Sequence, residues 1–317
     1  MGIWKTHHPG AGAMGHGSWR NKMQNRFGLT MVIFLLAATA AFPTDPLQQG
    51  KKVLAPQTKT SAVSATMKQF SQSVRPPKHA SKEALPAEVF ISYPEFSSSA
   101  AENAAVKAIN NAIRQRLLST DEGESPATFE QLAGSFFQGY EKSFKENPDE
   151  LGGWSLKFKA VVRFSDEELL SLEIVRSMFS GGAHSSADIA YLVFSPKTGN
   201  SLALSDFVPE KKFPDLNRIG ETIFRRTRSL KPNETLEHAG FQFEENRFAL
   251  NRNFLVGAGG MAFCFNQYEI GPFSMGVTEI LIPWSDIRDL LDPKGVGARF
   301  LKEKPSTSSL VTPPQSL

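Results

Sequence analysis

At residues 154–163 the chain reads Trp-Ser-Leu-Lys-Phe-Lys-Ala-Val-Val-Arg. Trp154, Leu156, Phe158, Ala160 and Val162 alternate with Ser155, Lys157, Lys159 and Arg163. That period of two is the pattern of a strand with one face in a core and one in solvent. After the acidic turn Asp166-Glu167-Glu168, Leu170, Leu172 and Ile174 repeat it. Tyr191 to Phe194 is apolar on both faces, as a central strand would be. Ser195-Pro-Lys-Thr-Gly-Asn200 turns the chain, and Leu202 and Leu204 are expected to return as a hairpin partner. Further strands are expected at Phe241/Phe243, Phe254/Val256, Met261–Phe265 and Val277–Ile282, with Gly257-Ala-Gly-Gly260 as a turn.

Upstream, Val89, Phe90 and Ile91 predict a first strand that ends at Pro94. Ala105, Ile109, Ala112, Ile113 and Leu117 recur at helical spacing. Thr128 and Gln131 suit a capping box, and Phe129, Leu132, Phe136, Tyr140 and Phe144 line one face of a second helix. Aromatic stripes at this spacing read as core. A third helix is expected around Pro214–Arg228, and a short last one starts at Ser285-Asp286 and ends before Pro293. Two helices followed by hairpins, without βαβ alternation, predict an α+β fold: antiparallel sheets with packed helices, in two consecutive small subdomains.

The flanks are of another kind. Phe27 to Ala41 is almost uninterruptedly apolar, follows Arg20, Lys22 and Arg26, and contains the small-x-small site Ala38-Thr39-Ala40. These are the three parts of a secretory signal peptide over residues 1–41. A 15-residue helix spans about 22 Å, short of the roughly 30 Å hydrocarbon core, so cleavage near Ala40 is favoured over a permanent anchor. Met23 would give a more compact start. Residues 42–86 are rich in Pro, Gln, Ser, Thr and Lys and read as a disordered basic spacer; residues 293–317 read as a disordered tail.

Charge is divided along the chain. Residues 1–85 carry 11 Lys/Arg against 2 Asp/Glu, residues 86–292 carry 20 against 29, and residues 293–317 carry 4 against 1. The net +3 thus averages a body of −9 with basic flanks. An acidic body repels nucleic acid and suits cationic partners, though simple solubility explains it as well. The one cysteine, Cys264, lies in the apolar run Met261–Phe265 and reads as an inert core thiol. With one thiol there is no internal disulfide and no cysteine-built zinc site. Motifs for P-loops, dinucleotides, nucleophile elbows and zincins are lacking, and no cofactor or metal is expected.

Three segments fall in a recognisable order. Gly181-Gly-Ala-His184 closes one strand. Leu192-Val-Phe-Ser-Pro-Lys-Thr-Gly-Asn-Ser-Leu-Ala-Leu-Ser-Asp206 follows it. Then comes Phe263-Cys-Phe-Asn-Gln-Tyr-Glu-Ile-Gly-Pro272, with Gly276 and Ile280-Leu-Ile-Pro-Trp-Ser-Asp286. This order resembles the extracytoplasmic domain shared by RsiV-type anti-sigma factors and PdaC-type peptidoglycan deacetylases. The resemblance implies a PdaC-type domain over residues 87–180 and an RsiV-like domain over 181–292. It also implies an accessory or sensing role in the cell envelope, and its RsiV-type members bind lysozyme.

The candidate binding residues are Gly181, Gly182, His184, Tyr268 and Glu269; none is assigned as catalytic. Glycines allow close backbone approach to a ligand, and His184 could bind it or move a proton. The plainer alternative has the glycines ending a strand and His184 fixing the turn by a hydrogen bond. Tyr268 and Glu269 could converge with His184 for acid–base chemistry, or be a corner residue and its solvated neighbour. Arg225, Arg226, Arg228 and Lys231 could meet anionic glycans, or be cations at a helix C-terminus.

The expected function is therefore an exported, non-catalytic binding or sensing module, periplasmic or secreted. Its partner would be a cell-wall glycan such as peptidoglycan, or a cationic protein such as lysozyme, with the membrane met only during export. The alternative is an exported hydrolase acting on wall glycan through His184 and Glu269.

Overall fold

The computed structural model describes residues 57–58, 63–98, 103–120, 125–147, 149, 151–182 and 184–301. The leader, its cleavage site, most of the expected spacer before residue 63 and the tail beyond residue 301 lie outside them. Among the described residues, no helix is long and apolar enough to cross a membrane.

The quoted segment is strand β4, Ser155–Ser165, at the middle of a six-stranded sheet. The other strands are β1 (Gln57–Thr58), β2 (Ser64–Val74), β3 (Ala87–Ser97), β5 (Leu170–Phe179) and β6 (Ser186–Phe194). The order is β2-β3-β4-β5-β6, with β1 beside β4 beyond the point where β3 leaves it. All pairs are antiparallel except β3–β4 and β1–β4. The parallel β3–β4 pair arises because two helices, α1 (Ala104–Leu118) and α2 (Phe129–Glu146), form the connection and return the chain to the same end.

Both helices start as their sequences dictate. The Asn103 side chain accepts from the backbone N–H of Ala105 (3.0 Å) and Val106 (3.3 Å). Thr128 Oγ1 accepts from Gln131 N at 3.2 Å. The Gln131 side chain reaches back to Ala127 N at 2.8 Å, one residue beyond the box position. Ile109, Ile113 and Leu117 from α1 and Tyr140 and Phe144 from α2 are wholly buried against Val89, Ile91 and Leu172 of the sheet.

A second sheet holds β7 (Phe254–Gly257), β8 (Gly260–Phe265) and β9 (Thr278–Pro283), all antiparallel. Helix α3 (Phe213–Thr227) buries Leu216, Ile223 and Phe224 on it, and the short α4 (Trp284–Ile287) follows β9 directly. This core also takes in Phe164 and Val193 from the first sheet and Leu169 from its β4–β5 turn, so the two sheets pack as neighbours in one compact unit.

Several expectations need correction. The spacer of residues 42–86 is not disordered throughout: β2 pairs with β3 along all eleven residues, and Phe70 and Val74 pack on the helix-side core. Composition fails there because the order comes from a ladder with a partner strand, which a local reading cannot see. The tail of residues 293–317 is ordered as far as a 3₁₀ turn at Val296–Leu301. There Phe300 is buried and stacks on Trp284 at 3.9 Å. The boundary at 180/181 cuts the first sheet, since β6 pairs with β5 from Ser186 to Phe194. Leu202 and Leu204 form no hairpin strand; one bridge, Phe194 to Ser201, precedes a 3₁₀ turn. Phe241 and Phe243 lie in a loop, edge-on to Phe224. Arg163 is not on a solvent face. A bulge between Val162 and Phe164 turns it inward, and it pairs with buried Glu173 at 3.1 Å.

Candidate functional site

The β5–β6 turn and the β8–β9 loop bring His184 and Tyr268 to one place. Gly181 and Gly182 take φ of 84° and 96°, left-handed values that let the chain reverse within a few residues. His184 follows them, exposed, with Nδ1 3.3 Å from Ser185 O. Its ring stacks on Phe273, centroids 3.8 Å apart and planes within 15°. On the same Phe273 lies Tyr268, 5.7 Å away and tilted by 40°. The three rings form an aromatic cluster across two loops.

Tyr268 is the residue whose placement is least expected of folding alone. It is 66% exposed, and it sits at φ 66° in the turn closed by Glu269 N to Asn266 O at 3.2 Å. A glycine would adopt that conformation without cost, whereas a tyrosine pays about 1 kcal/mol or more.

Glu269 has a different task. Its Oε1 accepts from Asn251 Nδ2 at 2.7 Å and its Oε2 from Asn266 N at 2.8 Å. The carboxylate thus ties the start of the loop to its base, and it is Phe273, not Glu269, that joins His184 and Tyr268.

Two asparagines, Asn266 and Asn253, extend this tie to the first sheet, with a third, Asn251, behind them. Asn266 takes Ile189 N (2.8 Å) on Oδ1 and gives Nδ2 to Ile189 O (3.0 Å). Asn253 takes Tyr191 N (2.7 Å) and gives Nδ2 to Ile189 O (2.8 Å) and Cys264 O (3.1 Å). Asn251 gives Nδ2 to Cys264 O at 2.7 Å as well. Side-chain amides thereby continue the ladder at the β6 edge and lock the second sheet to the first. Behind them the Tyr191 hydroxyl donates to Glu279. Burial first, then the charge of Glu279, pushes the Tyr191 phenol and the Cys264 thiol far above their usual values. Cys264 is therefore an inert core thiol, as its sequence context suggests.

The far side of the loop is pinned from α3. Arg228 lies over the Phe241 ring at 5.2 Å and donates to Met275 O at 3.0 Å. Burial lowers the pKa of its guanidinium. Gln242 N donates to Ile270 O at 2.9 Å. Met275 fits so closely that a Cβ on Gly240 or Gly271 would come within 2.5 Å or 2.6 Å of its side chain. Arg225 likewise turns to Glu221 (2.9 Å) and Glu234 O (2.8 Å), so two of the four grouped cations brace the structure.

Phe273 and the three asparagines were missed as site residues in the sequence. Phe273 stands between Pro272 and Gly276, and that flanking was its only local signal. Asn253 and Asn266 gave none, because their partners on the first sheet are 62 to 77 residues away. Among the described residues, no group of three or more His, Cys, Asp or Glu is placed to hold a metal ion. A shallow groove of about 690 Å³ lies elsewhere, between α3 and residues 244–249, beside the left-handed Glu245 and Asn246.

Two sheets clasped through side-chain amides, with an aromatic cluster on two loops at the junction, define an α+β module of two successive domains. Residues 80–187 match the family model described as Deacetylase PdaC, and residues 205–285 match that of a protein family of unknown function, DUF3298. The chain is thus similar to a two-domain family of unknown function. No curated protein matches it in sequence. Among solved structures, a DUF3298 family member from Bacteroides fragilis is similar at TM-score 0.62 and 17% identity, over 77% of this chain and 100% of that one. A DUF3298 family protein from Pseudomonas aeruginosa is similar at TM-score 0.52 and 18% identity, over 73% and 95%. At these identities the likeness concerns the fold.

Proposed function

We propose that this protein is an exported cell-envelope binding module that holds a wall-glycan strand against Tyr268, Phe273 and His184. The observation that carries this reading is Tyr268, held outward in a left-handed conformation beside two further rings. Pyranose rings present apolar C–H faces that stack on aromatic side chains, while their hydroxyls find polar groups at the rim. The loop is braced on both sides, so little ordering entropy is lost on binding. The charged, apolar leader of residues 1–41 and the resemblance to PdaC-type and RsiV-type proteins support an envelope setting.

The binding role is favoured over wall hydrolysis because both Glu269 oxygens are already engaged by Asn251 and Asn266 N. A second reading, a cationic protein as partner, rests on the −9 charge of residues 86–292. Retention on purified peptidoglycan sacculi and on lysozyme-coupled resin, each at low and high salt, separates the two. Stacking on sacculi should survive high salt and weaken about tenfold in Phe273→Ala, the equivalent of a ring contact of about 1.4 kcal/mol. Retention only on lysozyme, abolished by salt, would favour the second reading. No retention on either support contradicts both.

A further inference from the structure

The two edges of the first sheet are treated in opposite ways. At β6, Asn253 and Asn266 supply partners for Ile189 N, Ile189 O and Tyr191 N. At β2 all eleven residues pair inward with β3, and among the described residues nothing pairs with the outer edge.

An open edge presents a row of free N–H and C=O groups, and sheets ordinarily blunt it with proline, a bulge, an outward charge or a short strand. β2 has no proline and no bulge, and it is not short. Ser64–Val74 contains no proline, and its register with β3 runs unbroken. At eleven residues it is about twice the usual strand length. Its one charge, Lys68, is drawn back to Glu95 at 3.3 Å, which also takes Arg114 at 2.9 Å. The edge is thus long and straight in register, and its single charge is paired with Glu95.

We propose that β2 pairs antiparallel with β2 of a second copy of this chain, about a twofold axis at Gln69, joining two sheets into one. This register uses every free group along Ser64–Val74 in both copies. It sets Lys68 opposite Phe70 and Thr66 opposite Gln72, so no like charges face each other. It also sets Met67 opposite Ser71, the residue that Phe90 pairs with in β3. Met67 and Phe90 are 51% and 38% exposed, and a small serine between them leaves one row in which both are covered across the interface.

Sedimentation velocity of the wild-type protein over a range of concentrations tests this. The expected result is a dimer that dissociates on dilution. Thr66→Lys with Gln72→Lys places like charges opposite each other twice and should raise the dissociation constant roughly tenfold or more. Thr66→Lys with Gln72→Glu places opposite charges there and should restore the dimer. Both positions are exposed, so melting of the variants reports whether the fold is intact. Should the double-lysine variant unfold, wild-type dilution and the charge-paired variant still decide. A wild-type monomer at all concentrations, or a dimer indifferent to both variants, overturns the proposal. So does a monomer whose outward-facing β2 amides exchange slowly, which would mean that the same chain covers its own edge.

Discussion

Replacing Asn253 by alanine removes three hydrogen bonds at the junction of the two sheets: from Tyr191 N, and to Ile189 O and Cys264 O. The losses are unequal. Ile189 O keeps Asn266 Nδ2 at 3.0 Å, and Cys264 O keeps Asn251 Nδ2 at 2.7 Å. Tyr191 N, in a residue 8% exposed, loses the acceptor it has there. Leaving a buried donor unpaired costs about 1–3 kcal/mol, and weakening two carbonyls that retain one partner adds about 1 kcal/mol. The sum is about 2–4 kcal/mol, or roughly 4–16 °C in Tm for a domain of this size. Urea denaturation with the slope m unchanged is the assay. Asn253→Asp keeps the acceptor for Tyr191 N but sets a carboxylate oxygen against the Ile189 and Cys264 carbonyls, so it should be no milder than alanine. A loss below about 0.5 kcal/mol for Asn253→Ala would refute the role of these amides as the clasp between sheets.

Other perturbations test separate parts of the structure. Burial raises the pKa of Asp166, but hydrogen bonds from Arg299 and from the N–H groups of Glu168 and Leu169 outweigh it and hold the carboxyl below its usual value. Its stabilising contribution is therefore complete above the ordinary carboxylate range and lost as pH falls through the depressed folded value. Arg299→Leu should destabilise the wild-type fold at neutral pH and shrink that acid-dependent loss, read by thermal melts at pH 2–6. Gly199, at φ 76°, packs so near α1 that a Cβ would lie 2.6 Å from Ala105 O, so Gly199→Ala should cost at least about 1–3 kcal/mol. Cys264 should resist thiol reagents in native buffer and react in full in denaturant, because burial keeps its thiol protonated.

How much of this was legible in the sequence depended on the range of the interaction. The α+β class, β4, β5 and the first three helices follow from periodicity, since each apolar face repeats within a few residues. Arg163 defeats that logic: its alternation is regular, but one bulge turns it into the interior toward Glu173. The strand β2 defeats it differently, because eleven mostly polar residues are ordered by backbone pairing with β3 rather than by burial. At the candidate site, the residue types drew attention to His184 and Tyr268, each of which packs on Phe273. Glu269 attracted the same attention as a carboxylate, yet both its oxygens serve the loop. The partner that unites the cluster is Phe273, an apolar residue with no chemistry of its own to announce it.

Tyr268→Gly tests the binding role most directly, because it separates binding from folding. At φ 66° and 66% exposed, Tyr268 contributes strain and little packing, so glycine should leave the fold as stable or more stable by up to about 1 kcal/mol. Retention on purified sacculi, measured on the same preparation, should fall about tenfold. A variant that is less stable while retaining wild-type affinity would contradict the assignment, making Tyr268 a structural residue and the aromatic cluster no binding surface.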